Sequence, residues 1–202
     1  MRDQENPGVN THDLTLRIIG GNWRSRKVSF PNRPGLRPTP DRVRETLFNW
    51  LQFDVAGARC LELYAGSGAL GMEALSRGAA QVTFVESDQV SVAAIEANLT
   101  RLKADPATYQ TVHGRAEAYI EAFSEAPFDL IFLDPPYKEN NVVPILSQIC
   151  EAGMLSPEGK CYIESGVTMD PAGLPGTLIL SRQKRAGQVQ YCLVEPSLRQ
   201  NR

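Results

Sequence analysis

Long apolar segments are missing from this sequence of 202 residues. No hydrophobic run approaches the roughly 20 residues that a membrane-spanning helix requires. The opening residues, Met1 to Leu14, also lack the apolar stretch of a secretory signal. The sequence therefore predicts a cytoplasmic protein with no membrane partner.

Residues that bind metals through sulfur or imidazole are also few. The chain has four cysteines and two histidines, and no two cysteines form the Cys-x-x-Cys pair of a structural zinc site. Cys60, Cys161 and Cys192 lie inside apolar stretches. We therefore predict no metal, and we expect these thiols to be buried and reduced.

Acidic residues are nearly absent from one part of the chain. The net charge is −2, and an even distribution of charge would argue against a nucleic-acid partner. Between Arg17 and Arg44, however, eight basic residues accompany a single acid, Asp41, so this stretch carries +7 and the rest −9. Such a basic arm is typical of nucleic-acid binding, although charge clustering alone is equally consistent with a solvated surface.

The basic stretch belongs to a predicted extension, residues 16–55, that follows a disordered tail at residues 1–15. Leu16 to Ile19 and Lys27 to Phe30 predict a small β-ribbon with Trp23 at its turn. A loop rich in proline and glycine follows.

A helix is predicted to complete this extension. Thr39 can cap it, and Pro40 can be its first residue, where a missing N–H costs nothing. Val43 and the apolar residues after it line one face, which leaves Arg42 and Arg44 on the solvent side.

Residues 56–195 alternate short apolar strands with helices, and a short tail, 196–202, follows. The predicted strands are 59–64, 81–86, 108–112, 128–133 and 159–164, and the predicted helices are 69–78, 89–103, 115–124 and 141–152. This alternation indicates an α/β fold with a mostly parallel sheet. Leu178 to Leu180 and Val189 to Val194 flank a basic turn and predict a terminal antiparallel hairpin, which completes seven strands.

A glycine loop, Gly66-x-Gly68-x-x-Gly71, follows the first strand of this region. The pattern matches the dinucleotide fingerprint, and Glu86 at the end of the next strand is placed to hold ribose hydroxyls. Glu62 helps to choose the cofactor, because a carboxylate beside this loop repels a pyrophosphate but suits the ammonium of a methionine moiety. A methyl donor is therefore favoured over NAD. The alternative is that the glycines only form a tight strand-to-helix turn and bind no cofactor.

The predicted cofactor contacts extend around this loop and its neighbours. They are Glu62, Tyr64, Ala65, Gly66, Ser67, Gly68, Gly71, Glu86, Ser87, Arg115, Ala116 and Asp134. Arg115 and Ala116 are included only because they follow the third strand of the sheet, where such folds hold the adenine.

The buried strand 128–133 runs directly into Asp134-Pro135-Pro136-Tyr137, which are the predicted catalytic residues. An exocyclic base amine is a poor nucleophile because its lone pair is delocalised into the ring. The Asp134 carboxylate and the Pro135 carbonyl can accept both N–H bonds and turn that lone pair toward a methyl donor, while the prolines fix the carbonyl direction. Tyr137 can stack on the base. The alternative is that Pro-Pro only ends a strand.

With these residues in view, the chain from about Arg17 to Val194 resembles the RsmD family of bacterial ribosomal RNA guanine-N2 methyltransferases. The resemblance rests on three N-terminal stretches, 17–21, 23–27 and 36–51, and on the two loops. It implies a class I, Rossmann-like methyltransferase fold, S-adenosylmethionine as donor with S-adenosylhomocysteine as product, and a guanine of small-subunit rRNA as acceptor. The family usually has Asp and Phe where this chain has Glu62 and Tyr64, which leaves open how directly Glu62 meets the ammonium.

The resemblance also makes RNA contact the favoured interpretation of the basic extension. The predicted RNA-binding residues are Trp23, Arg24, Arg26, Lys27, Arg37, Thr39, Arg42 and Arg44. The expected partner is small-subunit rRNA, in a 30S particle or an assembly intermediate, and the protein is expected to act as a monomer.

Three other functions fit parts of the pattern. The same catalytic loop serves an exocyclic adenine methyltransferase acting on DNA or RNA, because base identity is not written in that loop. A noncatalytic rRNA-binding assembly factor would keep the basic extension, and a nicotinamide-dependent oxidoreductase would keep the glycine loop.

Overall fold

The computed structural model describes residues 13–33, 36, 38–136, 142–187 and 189–197. Two predicted site residues, Arg37 and Tyr137, lie outside the described residues. The same holds for most of the two predicted tails.

The described chain contains nine strands and five α-helices. The extension comprises β1 (Leu14–Arg17), β2 (Lys27–Phe30) and α1 (Asp41–Trp50). The body comprises β3 (Arg59–Leu63), α2 (Ala69–Ser76), β4 (Gln81–Glu86), α3 (Gln89–Leu102), β5 (Tyr109–His113), α4 (Ala116–Glu121), β6 (Phe128–Leu133), α5 (Val142–Glu151), β7 (Leu155–Ser165), β8 (Leu178–Ala186) and β9 (Val189–Pro196).

A seven-stranded sheet in the order β5-β4-β3-β6-β7-β9-β8 forms the centre of the molecule. The first five strands of this order are parallel, and β9 runs antiparallel to both β7 and β8. The α/β architecture and the terminal hairpin are therefore confirmed. From β3 the chain moves outward to β4 and β5 and then returns to the other side of β3 with β6, so the strand order reverses between β3 and β6. Ligands of such sheets bind beyond the carboxyl ends of the strands at this point.

Helices cover both faces of the sheet and bury its apolar strands. One core contains Leu47 of α1, Met72 of α2 and Leu99 of α3, together with Val28 of the ribbon. The other face is covered by α4 and α5. The extension therefore packs on the same side as the helix that follows the glycine loop. No helix in the described part of the chain is both long and apolar enough to cross a membrane.

Several element boundaries differ from the predictions. The ribbon pairs Leu14 with Phe30, so β1 begins within the stretch predicted as a tail. Strand β7 begins at Leu155, because a register shift opposite Phe128 accommodates extra residues before the parallel pairing resumes. Most of the stretch predicted as a basic turn, Arg182 to Gly187, belongs to β8, which ends at Ala186 and pairs with β9 almost to the hairpin tip.

The predicted cap of α1 is wrong. The helix begins at Asp41, Pro40 occupies the capping position, and no side chain caps the helix. The Thr39 hydroxyl instead donates to Oε1 of Glu164 at 2.5 Å. A buried carboxylate that lacks a donor costs more free energy than an open helix end that water can solvate, so the hydroxyl turns inward.

The prediction that Arg44 lies on the solvent side of α1 is also wrong, and with it the predicted RNA contact. The Arg44 side chain is fully buried and faces Glu73 of α2, with 3.6 Å between Nη1 and Oε2. Its Nη2 donates to the Arg17 carbonyl at 2.9 Å and to Asp41 at 2.6 Å. Helical periodicity placed this residue on the solvent side, because the pattern within one helix could not reveal the buried acid on another helix.

Glu73 joins α2 to α1 through this ion pair and to the residues after β1 through hydrogen bonds. Its carboxylate accepts the backbone N–H groups of Ile19 at 2.8 Å and Gly20 at 2.7 Å, and Arg77 approaches it from α2 itself. A buried carboxylate is tolerated when charges and donors surround it in this way. The extension is therefore held on the body through polar contacts as well as apolar packing.

We expect Arg44→Ala to lower the free energy of unfolding by about 3 kcal/mol, because removing one partner leaves Glu73 buried with less compensation. Urea unfolding measures this change. Arg42→Ala, on the exposed side of the same helix, is the matched control and should change stability by less than about 0.5 kcal/mol. Equal midpoints for the two variants would contradict the role given to the buried pair.

Candidate active site

A cavity of about 1330 Å³ lies beyond the carboxyl ends of the parallel strands. Its walls come from the ends of β3, β4, β6 and β7, the glycine loop, the loop before α1 and the terminal hairpin. The lining includes Arg33, Leu36, Pro38, Thr39, Pro40, Glu62, Tyr64, Ala65, Gly66, Ser67, Glu86, Ser87, Asp88, Ser91, Asp134, Pro135, Pro136, Glu164 and Arg185. The structure therefore brings the two predicted loops together in one site.

The glycines of the loop have different tasks. Gly66 lines the cavity with φ +52°, and a Cβ at this position would come within 2.7 Å of Leu36. Gly71 lies beneath the loop, where a Cβ would come within 2.3 Å of Phe84 and 2.7 Å of Glu62 Oε2. Gly68 precedes α2 in the left-handed conformation. Gly66 thus leaves backbone open to a ligand, whereas Gly68 and Gly71 shape the turn from outside the cavity lining.

Glu62 is buried at the end of β3 and contacts the start of α2. Its carboxylate accepts the N–H groups of Leu70 at 3.2 Å and Gly71 at 2.9 Å. Burial raises the pKa of Glu62 to about 8, although the two backbone hydrogen bonds act in the opposite direction. The carboxylate also lines the cavity, so one group serves both the helix and the site.

Glu86 organises the second loop of the site. Its Oε2 accepts the N–H of Gly66 at 2.7 Å, and its Oε1 accepts the N–H of Asp88 at 2.8 Å. Ser87, the residue between these two acids, also lines the cavity. A carboxylate has about four lone-pair positions, so Glu86 retains capacity to accept ligand hydroxyls.

Asp134 follows β6 and is half-buried at the cavity wall. No donor from the described residues forms a hydrogen bond with its carboxylate. Burial raises the pKa of Asp134 well above its usual range, and the nearby acids Glu164 and Glu62 raise it further. Pro135 is buried and Pro136 is exposed. Asp134 therefore presents an acceptor to the cavity that no described residue satisfies.

The prediction missed Glu164, an acid in the cavity at the end of β7. The same signal that singled out Glu62 could have found it, because Glu164 is also an acid at the end of an apolar strand, Cys161-Tyr162-Ile163. Several other missed lining residues come from loops, including Asp88, which pairs with Arg33 at 3.7 Å, whereas Ser91 lies in α3 and Arg185 in β8. Their sequence surroundings carry no comparable pattern.

Some predicted cofactor contacts do not line the cavity. Arg115 is exposed and pairs with Glu117, with 3.3 Å between the charged atoms. Ala116 is buried at the start of α4. Tyr64 does line the cavity, and its hydroxyl donates to Glu117 at 2.7 Å.

The predicted RNA contacts are spread over the extension. Arg24, Lys27 and Arg42 are exposed. Arg26 donates to the carbonyls of Arg101 at 2.6 Å and Leu102 at 3.2 Å, and it therefore caps the end of α3. Trp23 packs partly against the core. Thr39 differs from the rest of this set because it faces the cavity.

The described residues contain no group of three or more potential ligands arranged to hold a metal ion. All four cysteines are free thiols, and Cys60, Cys161 and Cys192 are buried as predicted.

The sequence matches a family model described as Conserved hypothetical protein 95 over residues 16–195. The chain belongs to this family. A relative from Escherichia coli strain K12, named ribosomal RNA small subunit methyltransferase D, is 43% identical over 180 residues, which are 89% of each chain. A relative of the same name from Haemophilus influenzae is 39% identical over 181 residues, covering 89% of this chain and 93% of its own. The resemblance to the RsmD family is confirmed.

The fold is also that of a solved family structure. The structure of yhhF from Escherichia coli superposes with a TM-score of 0.80 at 42% identity, covering 91% of this chain and 98% of that one. The Rossmann-like methyltransferase architecture is therefore confirmed.

We predict that Glu62→Gln changes how stability depends on pH. The folded pKa lies above that of an unfolded glutamate, so the folded state holds a proton that the unfolded state releases between about pH 4.5 and 8. Glu62 therefore makes wild-type stability fall as pH rises through this window, and the variant should gain on wild type by up to roughly 1.4 kcal/mol per pH unit.

Urea unfolding at pH 5, 6, 7 and 8 measures this difference. Glu151→Gln, at the exposed end of α5, is the matched control for loss of one carboxylate. A constant difference between Glu62→Gln and wild type across the four pH values would contradict the prediction.

Proposed function

We propose that this protein transfers the methyl group of S-adenosylmethionine to the exocyclic N2 of a guanine in small-subunit rRNA. The observation that carries the proposal is the position of Asp134 and Pro135, which share one cavity with the glycine loop. A methyl donor on that loop and a base amine at Asp134 would therefore both lie in this cavity. Relatives that match nearly the whole chain are named ribosomal RNA methyltransferases.

The cavity suits a cationic cofactor. Glu62, Glu86, Asp134 and Glu164 all line it. In their ionised forms these acids repel the pyrophosphate of a nicotinamide cofactor, whereas the ammonium and sulfonium groups of S-adenosylmethionine attract these charges and favour ionisation. The four acids of the cavity therefore strengthen the preference for a methyl donor over NAD that was first inferred from Glu62. They disfavour the oxidoreductase alternative.

The loops provide specific positions for the parts of this cofactor. The open backbone at Gly66 and the residues Ala65 and Ser67 would receive the methionine part, with Glu62 beside its ammonium. Glu86 and Ser87 would accept the ribose hydroxyls. When bound, S-adenosylmethionine supplies an electrophilic methyl group on a positively charged sulfur. Arg115 and Ala116, which lie outside the cavity lining, have no part in this proposal.

Asp134 and Pro135 would prepare the amine for attack. The free carboxylate of Asp134 accepts one N–H and the Pro135 carbonyl accepts the other, which frees the nitrogen lone pair and fixes its direction. The proton released after methylation leaves through Asp134 or through water. The raised pKa of Asp134 makes its ionised form unfavourable before a base binds. The N–H donors of a bound amine would stabilise that ionised form. Tyr137, outside the described residues, is proposed to stack on the base.

The extension would bring the RNA to this cavity. Thr39 reaches the cavity from the same segment that carries the exposed basic residues, so the phosphate contacts and the target base would be connected by a short stretch of chain. We propose that the monomer acts in the cytoplasm on a 30S particle or an assembly intermediate. The choice of guanine rests on the RsmD resemblance, because the catalytic loop also suits an adenine amine.

We expect the purified protein with S-adenosylmethionine to form N2-methylguanosine in small-subunit rRNA or 30S particles from cells that lack it. Nucleoside mass mapping identifies both the base and the position. Asp134→Ala should bind S-adenosylmethionine in calorimetry as wild type does but lose at least about 100-fold in the rate of methyl transfer.

Asp105→Asn, a conservative change at an exposed aspartate away from the cavity, is the matched control and should keep the activity. Methylation of adenine would support the adenine alternative. RNA binding without any methylation would support a noncatalytic assembly factor, and full activity of Asp134→Ala would remove this residue from the mechanism.

We predict that replacing Arg24, Lys27 and Arg42 together with glutamine weakens RNA binding and flattens its salt dependence. Each lost phosphate contact lowers the slope of log K against log salt by roughly 0.7 to 0.9, so the triple variant should lose about 2. Titrations of labelled rRNA between 50 and 200 mM salt, roughly the range in which such slopes are measured, test this. Lys103→Gln, at the end of α3, is a control for the loss of a single charge. An unchanged slope in the triple variant would refute the proposal that the basic extension contacts RNA phosphates.

A further inference from the structure

Glu164 is a buried acid of the cavity that the proposed mechanism does not use. Its side chain is 2% exposed and lines the cavity. Strands β6 and β7 pair in parallel with Leu133 opposite Ile163, so Asp134 and Glu164 follow at the same level on neighbouring strands. An acceptor at Glu164 is therefore next to the acceptor proposed to hold the target amine.

Two hydroxyl groups hold one oxygen of Glu164 in place. Oε1 accepts from the Thr39 hydroxyl at 2.5 Å and from the Tyr162 hydroxyl at 2.9 Å. Among the described residues, no lysine or arginine pairs with this carboxylate and no donor contacts Oε2. Burying an acid without a cation and next to another acid is costly for the fold. Such an arrangement is typical of a functional group, because packing alone would select an apolar residue here.

The chemistry of the two candidate bases differs beside the reacting amine. In guanine, the N2 amine is next to N1, which carries a hydrogen. In adenine, the N6 amine is next to an N1 that carries a lone pair and no hydrogen. When Asp134 and Pro135 hold the amine, the group beside them therefore meets a donor in guanine and an acceptor in adenine. An ionised carboxylate only accepts hydrogen bonds, so it attracts the first and repels the second.

We propose that Glu164 accepts the N1–H of the target base and thereby selects guanine over adenine. This inference rests on the proposed function and names the residue that reads the base. Thr39 and Tyr162 orient the carboxyl group and leave Oε2 for the base. Thr39 belongs to the extension, so the segment proposed to bind RNA also positions the base-reading group.

The ionised form of Glu164 that this role requires depends on the hydrogen-bond donors around it. Burial raises the pKa of Glu164, and the hydroxyl donors of Thr39 and Tyr162 lower it. The acids and hydroxyls that face Glu164 are Asp134, Thr39 and Tyr162. Arrival of the guanine N1–H adds a further donor and so favours the ionised form, whereas adenine offers none.

The test uses small-subunit rRNA in which 2-aminopurine replaces guanine at the mapped target position. This base keeps the 2-amino group but lacks the hydrogen on N1 and the oxygen on C6, so the comparison with Glu164→Gln is needed to assign the effect to N1. We expect the wild type to prefer guanine over 2-aminopurine by at least about 100-fold in kcat/KM. In 2-aminopurine the buried Glu164 carboxylate meets the lone pair of N1 and remains unpaired. In Glu164→Gln the amide N–H can donate to N1, so the preference should fall by at least about tenfold.

Glu151→Gln is the matched control and should keep the wild-type preference, and binding of S-adenosylmethionine checks that each variant is folded. If Glu164→Gln keeps the full preference, or if wild type methylates 2-aminopurine as fast as guanine, the inference is overturned. Equal wild-type rates on the two bases overturn the inference even if the variant does not fold. Failure of wild type to methylate the guanine RNA would instead overturn the proposed function, so the two failures are distinguishable.

Discussion

Glu62, Asp134 and Glu164 share one cavity because the strands that carry them are parallel and end at the same edge of the sheet. Glu62 and Glu164 are buried and Asp134 is half-buried at the cavity wall, and burial raises the pKa of each. Mutual repulsion adds to this effect at Asp134. The chain tolerates this unfavourable charge by giving Glu62 two backbone donors and Glu164 two hydroxyl donors, while no described residue donates to Asp134.

The extension contributes to the site as well as to the surface. It is held on α2 by the Arg44–Glu73 pair and by the N–H groups of Ile19 and Gly20. Because α2 starts at the glycine loop, the same contacts connect the extension to the helix that shapes the cofactor site. Thr39 adds a second connection at Glu164. The basic extension, the glycine loop and the acids of the cavity are therefore parts of one packed unit.

The sequence predicted most of the secondary structure because strong local signals define it. Each strand of the parallel sheet is a short apolar run bounded by polar residues, so β4 and β6 match their predicted bounds. The predictions failed where the decisive partner lies far along the chain. The sequence predicts Arg44 in solvent, but in the structure this residue pairs with the buried acid Glu73. The sequence predicts Thr39 as the cap of α1, but its hydroxyl donates to Glu164 instead.

The sequence by itself determined the alternation of strands and helices, the glycine loop, the Asp-Pro-Pro-Tyr loop and the basic composition of the extension, because each depends on residues close together in the chain. Only the tertiary structure decided which charges are buried. It separated Arg44 from the exposed Arg24, Lys27 and Arg42, and it placed Glu164 beside Asp134. Burial and electrostatic repulsion act through space, so the protonation of the site depends on contacts between strands and loops that the order of residues does not display.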